Sequence, residues 1–295
     1  MILGYTPQFV LEPMVAALQR QGWTLHPTDE PEAMLLAGTA DVVITSPMEY
    51  ASSLGLVDYA LVPQFGVMTG GFAGMLKLIF NQGLASINTV AVRQPDGFPA
   101  LVARIILLEK YDLTPRFIPI PDGSNLDQML ALADAALIAG DEAIFDASGK
   151  RSMFDLSDEW EDMAETMLPY LLAWGRIGRL TEPQLQGFAV AAKEAGAAIP
   201  DTAARSANPT LAGRFHQRYL LGDVRYGLRD EDLPGLTALY GYLFYHGAIH
   251  DMPTLKYLPD GELAGPPLAP PPAQPTEPAE PAKPTENRTS NQPTE

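Results

Sequence analysis

The sequence predicts a two-lobed α/β body with a helical C-terminal part and a disordered Pro-rich tail. Three observations carry this. Short buried-strand runs alternate with helical apolar spacing as far as about Ser157. Beyond that point the pattern is helical. A faint internal repeat links Gly38–Glu49 to Leu132–Glu142, each an amphipathic helix leading through a small residue and Asp into a buried strand.

The strand runs are Asp41–Thr45, Asn88–Val92 and Ala135–Ala139. Between them, Glu12–Gln21, Pro31–Ala37, Phe98–Tyr111 and Leu126–Ala131 carry helical spacing. Strands alternating with helices imply a mostly parallel sheet covered on both faces. The later helices are expected at Glu159–Met167, Glu182–Ala195, Pro209–Leu221 and Leu233–His246. From Pro266 to Glu295, 10 of 30 residues are Pro, and the rest are mostly small or polar. Such a stretch buries too little apolar surface to offset the cost of ordering it. It reads as a solubilising extension or, secondarily, as a Pro-rich ligand for a partner domain.

The chain has 295 residues, 46% of them hydrophobic, which is ample for a core. No apolar run approaches the roughly 18 to 20 residues of a membrane-spanning helix, so no span is expected. The formal charge of −17 repels phosphate backbones and anionic lipid, which argues against nucleic-acid binding. Without cysteine there is no disulfide, thiol nucleophile or Cys-ligated zinc. Met1–Pro7 lacks a basic segment, an apolar stretch and a small-residue cleavage site, so a cytoplasmic setting is expected.

Each repeat ends its strand in a small-polar turn with an acidic residue, and open α/β sheets bind ligands at the carboxyl ends of their strands. The two copies therefore suggest two similar lobes facing one another across a cleft. Asp141, just past a buried strand, is placed to accept a ligand hydroxyl or position a proton, or else to cap a turn. Gly70–Gly74 is neither a phosphate loop nor a dinucleotide fingerprint, and reads as a hinge, a close approach to ligand or a plain loop. His246 and His250 have i,i+4 spacing without a metalloprotease pattern, and no metal is expected there. Ser46 and Ser148 lie in no nucleophile elbow. Tyr240, Tyr242, Phe244 and Tyr245 read as helix packing.

Several of these segments resemble the chorismate dehydratase family of the futalosine route to menaquinone. The carriers are Gly38–Tyr50, Asp134–Ala143, then Phe154–Leu156 with Glu159–Trp160, Leu168–Tyr170 and Ala173–Trp174, and finally Leu236–Tyr240 with Tyr245. The resemblance implies a type II periplasmic-binding-protein fold: a first lobe from 1–86 and 156–262 (the return mostly helical), a second lobe over 87–155, and the tail at 263–295. It also implies a cofactor-independent lyase that removes water from chorismate, giving 3-[(1-carboxyvinyl)oxy]benzoate in the interlobe cleft. Asp141 or Gln8 would assist the proton, and Tyr5, Thr6, Ser46, Thr69, Gly70, Gly97, Phe98, Gly140 and Tyr170 would line the ligand.

Three segments depart from the family pattern. Gly4–Pro13 lacks the usual Asn, Gly66–Gly71 keeps only Thr69 of a usual serine-rich stretch, and Arg93–Pro99 replaces a Ser/Thr-rich carboxylate-binding turn. Asp96 puts negative charge there, and Pro99 removes an amide donor. Two readings stay open: a divergent lyase of this type, or a non-catalytic small-molecule binding protein with a different, less anionic ligand.

Overall fold

The computed structural model describes residues 1–53, 58–83, 86–121, 123–147 and 151–263. Ser148 and the Pro-rich stretch from Pro266 onward lie outside the described residues. In chain order the elements are β1 (Ile2–Tyr5), α1 (Glu12–Arg20), β2 (Thr24–Pro27), α2 (Pro31–Leu36), β3 (Val42–Thr45), α3 (Pro47–Ser53), β4 (Tyr59–Thr69), β5 (Leu76–Phe80) and β6 (Thr89–Val92). There follow α4 (Phe98–Tyr111), β7 (Arg116–Pro119), α5 (Leu126–Leu132), β8 (Ala135–Ala139), α6 (Asp141–Ile144), β9 (Met153–Asp155) and α7 (Leu156–Ala164). The last are β10 (Leu168–Arg176), α8 (Glu182–Arg205), α9 (Pro209–Leu221), β11 (Val224–Tyr226), α10 (Leu233–Tyr245), β12 (Lys256–Tyr257) and β13 (Glu262–Leu263).

These strands form two sheets. The first runs β13-β12-β4-β10-β3-β1-β2 with β11 beside β4; the second runs β7-β6-β8-β5-β9. The three expected strands appear as β3, β6 and β8, each with parallel neighbours. The sheets are mixed, however, which corrects the mostly parallel expectation. β10 runs antiparallel to β3 and β4, and β5 antiparallel to β8 and β9. These are the strands that carry the chain between sheets, and a strand arriving from the other sheet need not follow a βαβ crossover.

Local sequence explains most boundaries. Pro13, Pro31, Pro99, Pro183 and Pro209 sit in the first turns of their helices, where a missing N–H costs nothing. Asn125 and Gln128 close α5 with reciprocal bonds of 3.0 and 2.9 Å. α8 extends to Arg205, past the expected end at Ala195, and carries Pro200 within it. The apolar face of α8 packs on the first sheet through Phe188, whose ring meets Trp23 and Phe65 edge-on at 4.9 Å.

The chain leaves the first sheet after Thr69, enters the second at Leu76, and returns after Asp155. Three contacts stitch these passages together. Ser157 Oγ donates to Thr69 Oγ1 at 3.0 Å, Gly71 N–H to Glu161 Oε2 at 2.7 Å, and Gly74 N–H to Asp155 Oδ2 at 2.6 Å. Asp155 also accepts from Ser157 N–H, so one buried carboxylate both caps α7 and holds the outgoing strand.

Candidate functional site

After β1 the chain bends through Gln8 into a tight turn at Phe9–Leu11. On the second sheet, β8 ends at Ala139, and Gly140 turns the chain into α6 with φ +58° and ψ −133°. That conformation is open only to glycine at low cost. Asp141 opens α6, and its Oδ1 accepts the Phe9 N–H at 2.8 Å, so a carboxyl from the second sheet meets a backbone donor from the first.

Tyr170 arrives from β10 and donates its hydroxyl to Gln8 Oε1 at 3.2 Å. A Cβ on Gly140 would stand 3.5 Å from both Gln8 Oε1 and Tyr170 Oη. Gln8, Gly140, Asp141 and Tyr170 thus converge from three separated stretches of sequence. Tyr5 ends β1 and Thr6 follows it on the way to Gln8, both half-buried.

The electrostatics of the quartet are acidic. Partial burial raises the Asp141 pKa, and the Phe9 N–H opposes it. Partial burial also raises that of Glu12, at the start of α1, with the Asp141 charge adding and Arg205 opposing. Tyr5 is raised by burial and by Glu12, and Tyr170 by burial and by Asp141. The site therefore favours protonated carboxyls and neutral phenols more than water does.

The turn carrying Asp141 is held on every side. Arg93, just past β6, clamps the Glu142 carboxylate with bonds of 2.8 and 2.5 Å and also reaches Ser124 O at 2.9 Å. Lys77 of β5 donates to Ala143 O at 2.6 Å. Phe145 packs edge-on against Phe9, centroids 5.2 Å apart, and Phe215 of α9 also meets Phe9 edge-on at 5.6 Å.

The other anticipated residues lie elsewhere. Ser46 follows the carboxyl end of β3, beside β1, but its hydroxyl is taken by Glu49. Thr69 is fully buried and bonded to Ser157. The Gly70 N–H donates to Asp223 O at 2.8 Å, next to the stitched passages. Gly97 caps α4, and the Phe98 ring is buried in the core. His246 Nε2 lies 2.9 Å from Glu109 Oε1. Among the described residues, no group of three His, Cys, Asp or Glu side chains could hold a metal, and no helix is long and apolar enough to cross a membrane.

Sequence reasoning missed four contributors. Phe9 supplies a backbone donor, which its side chain does not advertise. Glu12 reads only as an N-terminal helix acid. Arg205 falls beyond the expected end of its helix. Tyr226 of β11 donates to Val10 O of the Phe9–Leu11 turn at 2.8 Å, a pairing with no local signal.

A family model described as menaquinone biosynthesis matches residues 1–245. No curated protein matches the chain. Among solved structures, AF1704 from Archaeoglobus fulgidus is 18% identical, with 84% of this chain and 98% of that one aligned at a TM-score of 0.62. An ABC transporter protein from Parabacteroides distasonis is 13% identical, over 88% and 98% of the chains, at 0.61. The periplasmic aliphatic sulphonate binding protein SsuA from Escherichia coli is 14% identical, over 84% and 92%, at 0.54. At these identities the likeness is one of fold, and the fold is that of the periplasmic binding proteins, as the sequence predicts.

Proposed function

The chain belongs to the menaquinone biosynthesis family, and on that premise we propose that it is a cytoplasmic, cofactor-independent lyase of the chorismate dehydratase type, acting in a cleft between its two lobes. The observation that carries the proposal is the meeting of Gln8, Tyr170 and Asp141 around Gly140. Asp141 has one oxygen fixed by Phe9 N–H and a raised pKa, which suits a carboxylate that must take up a proton. Gln8, its carbonyl oriented by Tyr170, offers amide N–H donors to a ring carboxylate or hydroxyl.

The elimination balances with these groups alone. Asp141 removes the proton at C3 of chorismate, and the electron pair is delocalised through the ring diene towards the carboxylate. The C4 hydroxyl then leaves, taking the proton from Asp141 to form water, and the ring becomes aromatic. Orientation and charge placement are all that the protein must add.

A second reading has its own observation. Phe9 N–H and the Arg93 guanidinium, two donors flanking the turn, already hold the chain's own carboxylates, Asp141 and Glu142. That supports a binding protein for a less anionic ligand. Incubation with chorismate, followed by mass spectrometry for a product one water lighter, separates the two. Product above the no-protein control supports the lyase. No product and no chorismate-induced rise in Tm would overturn it in favour of the binding protein.

A further inference from the structure

Lys77 lies deep in the second sheet, on β5, opposite Asp155 of β9 on one side and Ile138 of β8 on the other. Its side chain is only 12% exposed, and its Nζ donates to Ala143 O at 2.6 Å and stands 3.8 Å from Asp146 Oδ2. Both partners belong to the end of the turn that Asp141 begins. α6 is four residues long, too short to hold its shape without tertiary contacts. Its terminal carbonyls present the negative end of a small dipole, and a buried ammonium is the group that satisfies them best.

We propose that Lys77 is a positioning residue for the Asp141 carboxyl: by holding Ala143 and Asp146, it fixes α6 in the orientation that brings Asp141 onto the Phe9 N–H. The proposal rests on the reading that Asp141 belongs to the ligand site, and it deepens that reading by naming what holds the carboxyl in place. Burial pushes the Lys77 pKa down, with Arg214 and Arg218 of α9 adding to the effect, while Asp146 and Asp155 counter it. Asp155, whose charge acts on the ammonium through space, is itself bonded to Gly74 N–H on the passage between the sheets.

The test is amide hydrogen exchange at Phe9, measured by NMR on the full chain without ligand. Loss of one charge-assisted hydrogen bond at the turn should release Asp141, and Lys77→Met should then exchange the Phe9 amide about tenfold faster or more. The amides of Leu137 and Ile138 in β8 should keep their protection. Lys77→Arg, which retains the charge, should restore protection at Phe9. Unchanged exchange at Phe9 in Lys77→Met would overturn the proposal, as would an equal loss at Phe9, Leu137 and Ile138. Should Lys77→Met fail to fold, Lys77→Leu, which likewise removes both the charge and the donor, takes its place with the same outcomes. Because no ligand is used, failure of the chorismate reading leaves this result standing, and failure here leaves the chorismate assay unaffected.

Discussion

Replacing Gly140 with alanine tests the backbone turn around which Gln8, Asp141 and Tyr170 meet. The new Cβ would meet Gln8 Oε1 and Tyr170 Oη at 3.5 Å, an ordinary contact distance, so steric overlap contributes little. The cost comes from the backbone, since φ +58° with ψ −133° is closed to L-residues. Holding alanine there costs about 1–3 kcal/mol, a range typical of such strained conformations. At about 2–4 °C per kcal/mol for a body of this size, Tm should fall by about 2–12 °C. Urea denaturation followed by tryptophan fluorescence gives the free energy, and scanning calorimetry gives Tm. Asparagine distinguishes this backbone conformation from the ordinary left-handed one, which asparagine tolerates but which has positive ψ. Gly140→Asn should therefore destabilise about as much as Gly140→Ala. A Gly140→Ala protein within about 0.5 kcal/mol of the parent, the range of an unremarkable surface change, would refute the reasoning. So would a Gly140→Asn protein of parental stability.

Other predictions follow from single contacts. Trp174 is fully buried between Tyr50 and Tyr59 and donates to Thr45 Oγ1 at 2.8 Å; Trp174→Ala should cost about 3–5 kcal/mol in urea denaturation. Burial pushes the Asp155 carboxyl up to about 7 from an ordinary 3.8. The folded state thus holds that proton where the unfolded chain has lost it, so stability falls as pH rises from about 4 to 7 and the penalty is complete above that. Urea midpoints across this window should fall less steeply for Asp155→Asn, and parallel curves would contradict the assignment. Tyr170→Phe removes the hydroxyl bonded to Gln8 and should cost about 0.5–1.5 kcal/mol in the same denaturation assay, with no loss of fold by circular dichroism.

Much of the framework was legible locally. β3, β6 and β8 are runs of buried apolar residues, and several helices begin at Pro, Asn or Thr signals near their expected starts, although α8 runs ten residues past its expected end. β10 was not legible as a strand: Leu168–Arg176 is almost wholly buried, with Pro169 near its start, and its continuous apolar run gives no alternation to read. Strand direction was equally hidden, because periodicity is the same in parallel and antiparallel strands. Asp141 was singled out by its place after β8 and Gln8 by its place in the family pattern, and they meet because both follow carboxyl ends of strands. The supporting contacts, Lys77 to Ala143 and Tyr170 to Gln8, join residues far apart in sequence, and nothing local announces them.

The measurement closest to the central claim is the rate of chorismate dehydration, followed by mass spectrometry, in the parent protein and in Asp141→Ala and Gln8→Ala. Asp141 carries the proton in this account, so its loss should lower the rate by about 10²–10⁴-fold, the usual contribution of a general acid–base group. Gln8→Ala should weaken turnover while leaving the fold intact by circular dichroism. Dehydration at the parental rate in both variants, or none in the parent protein, would contradict it.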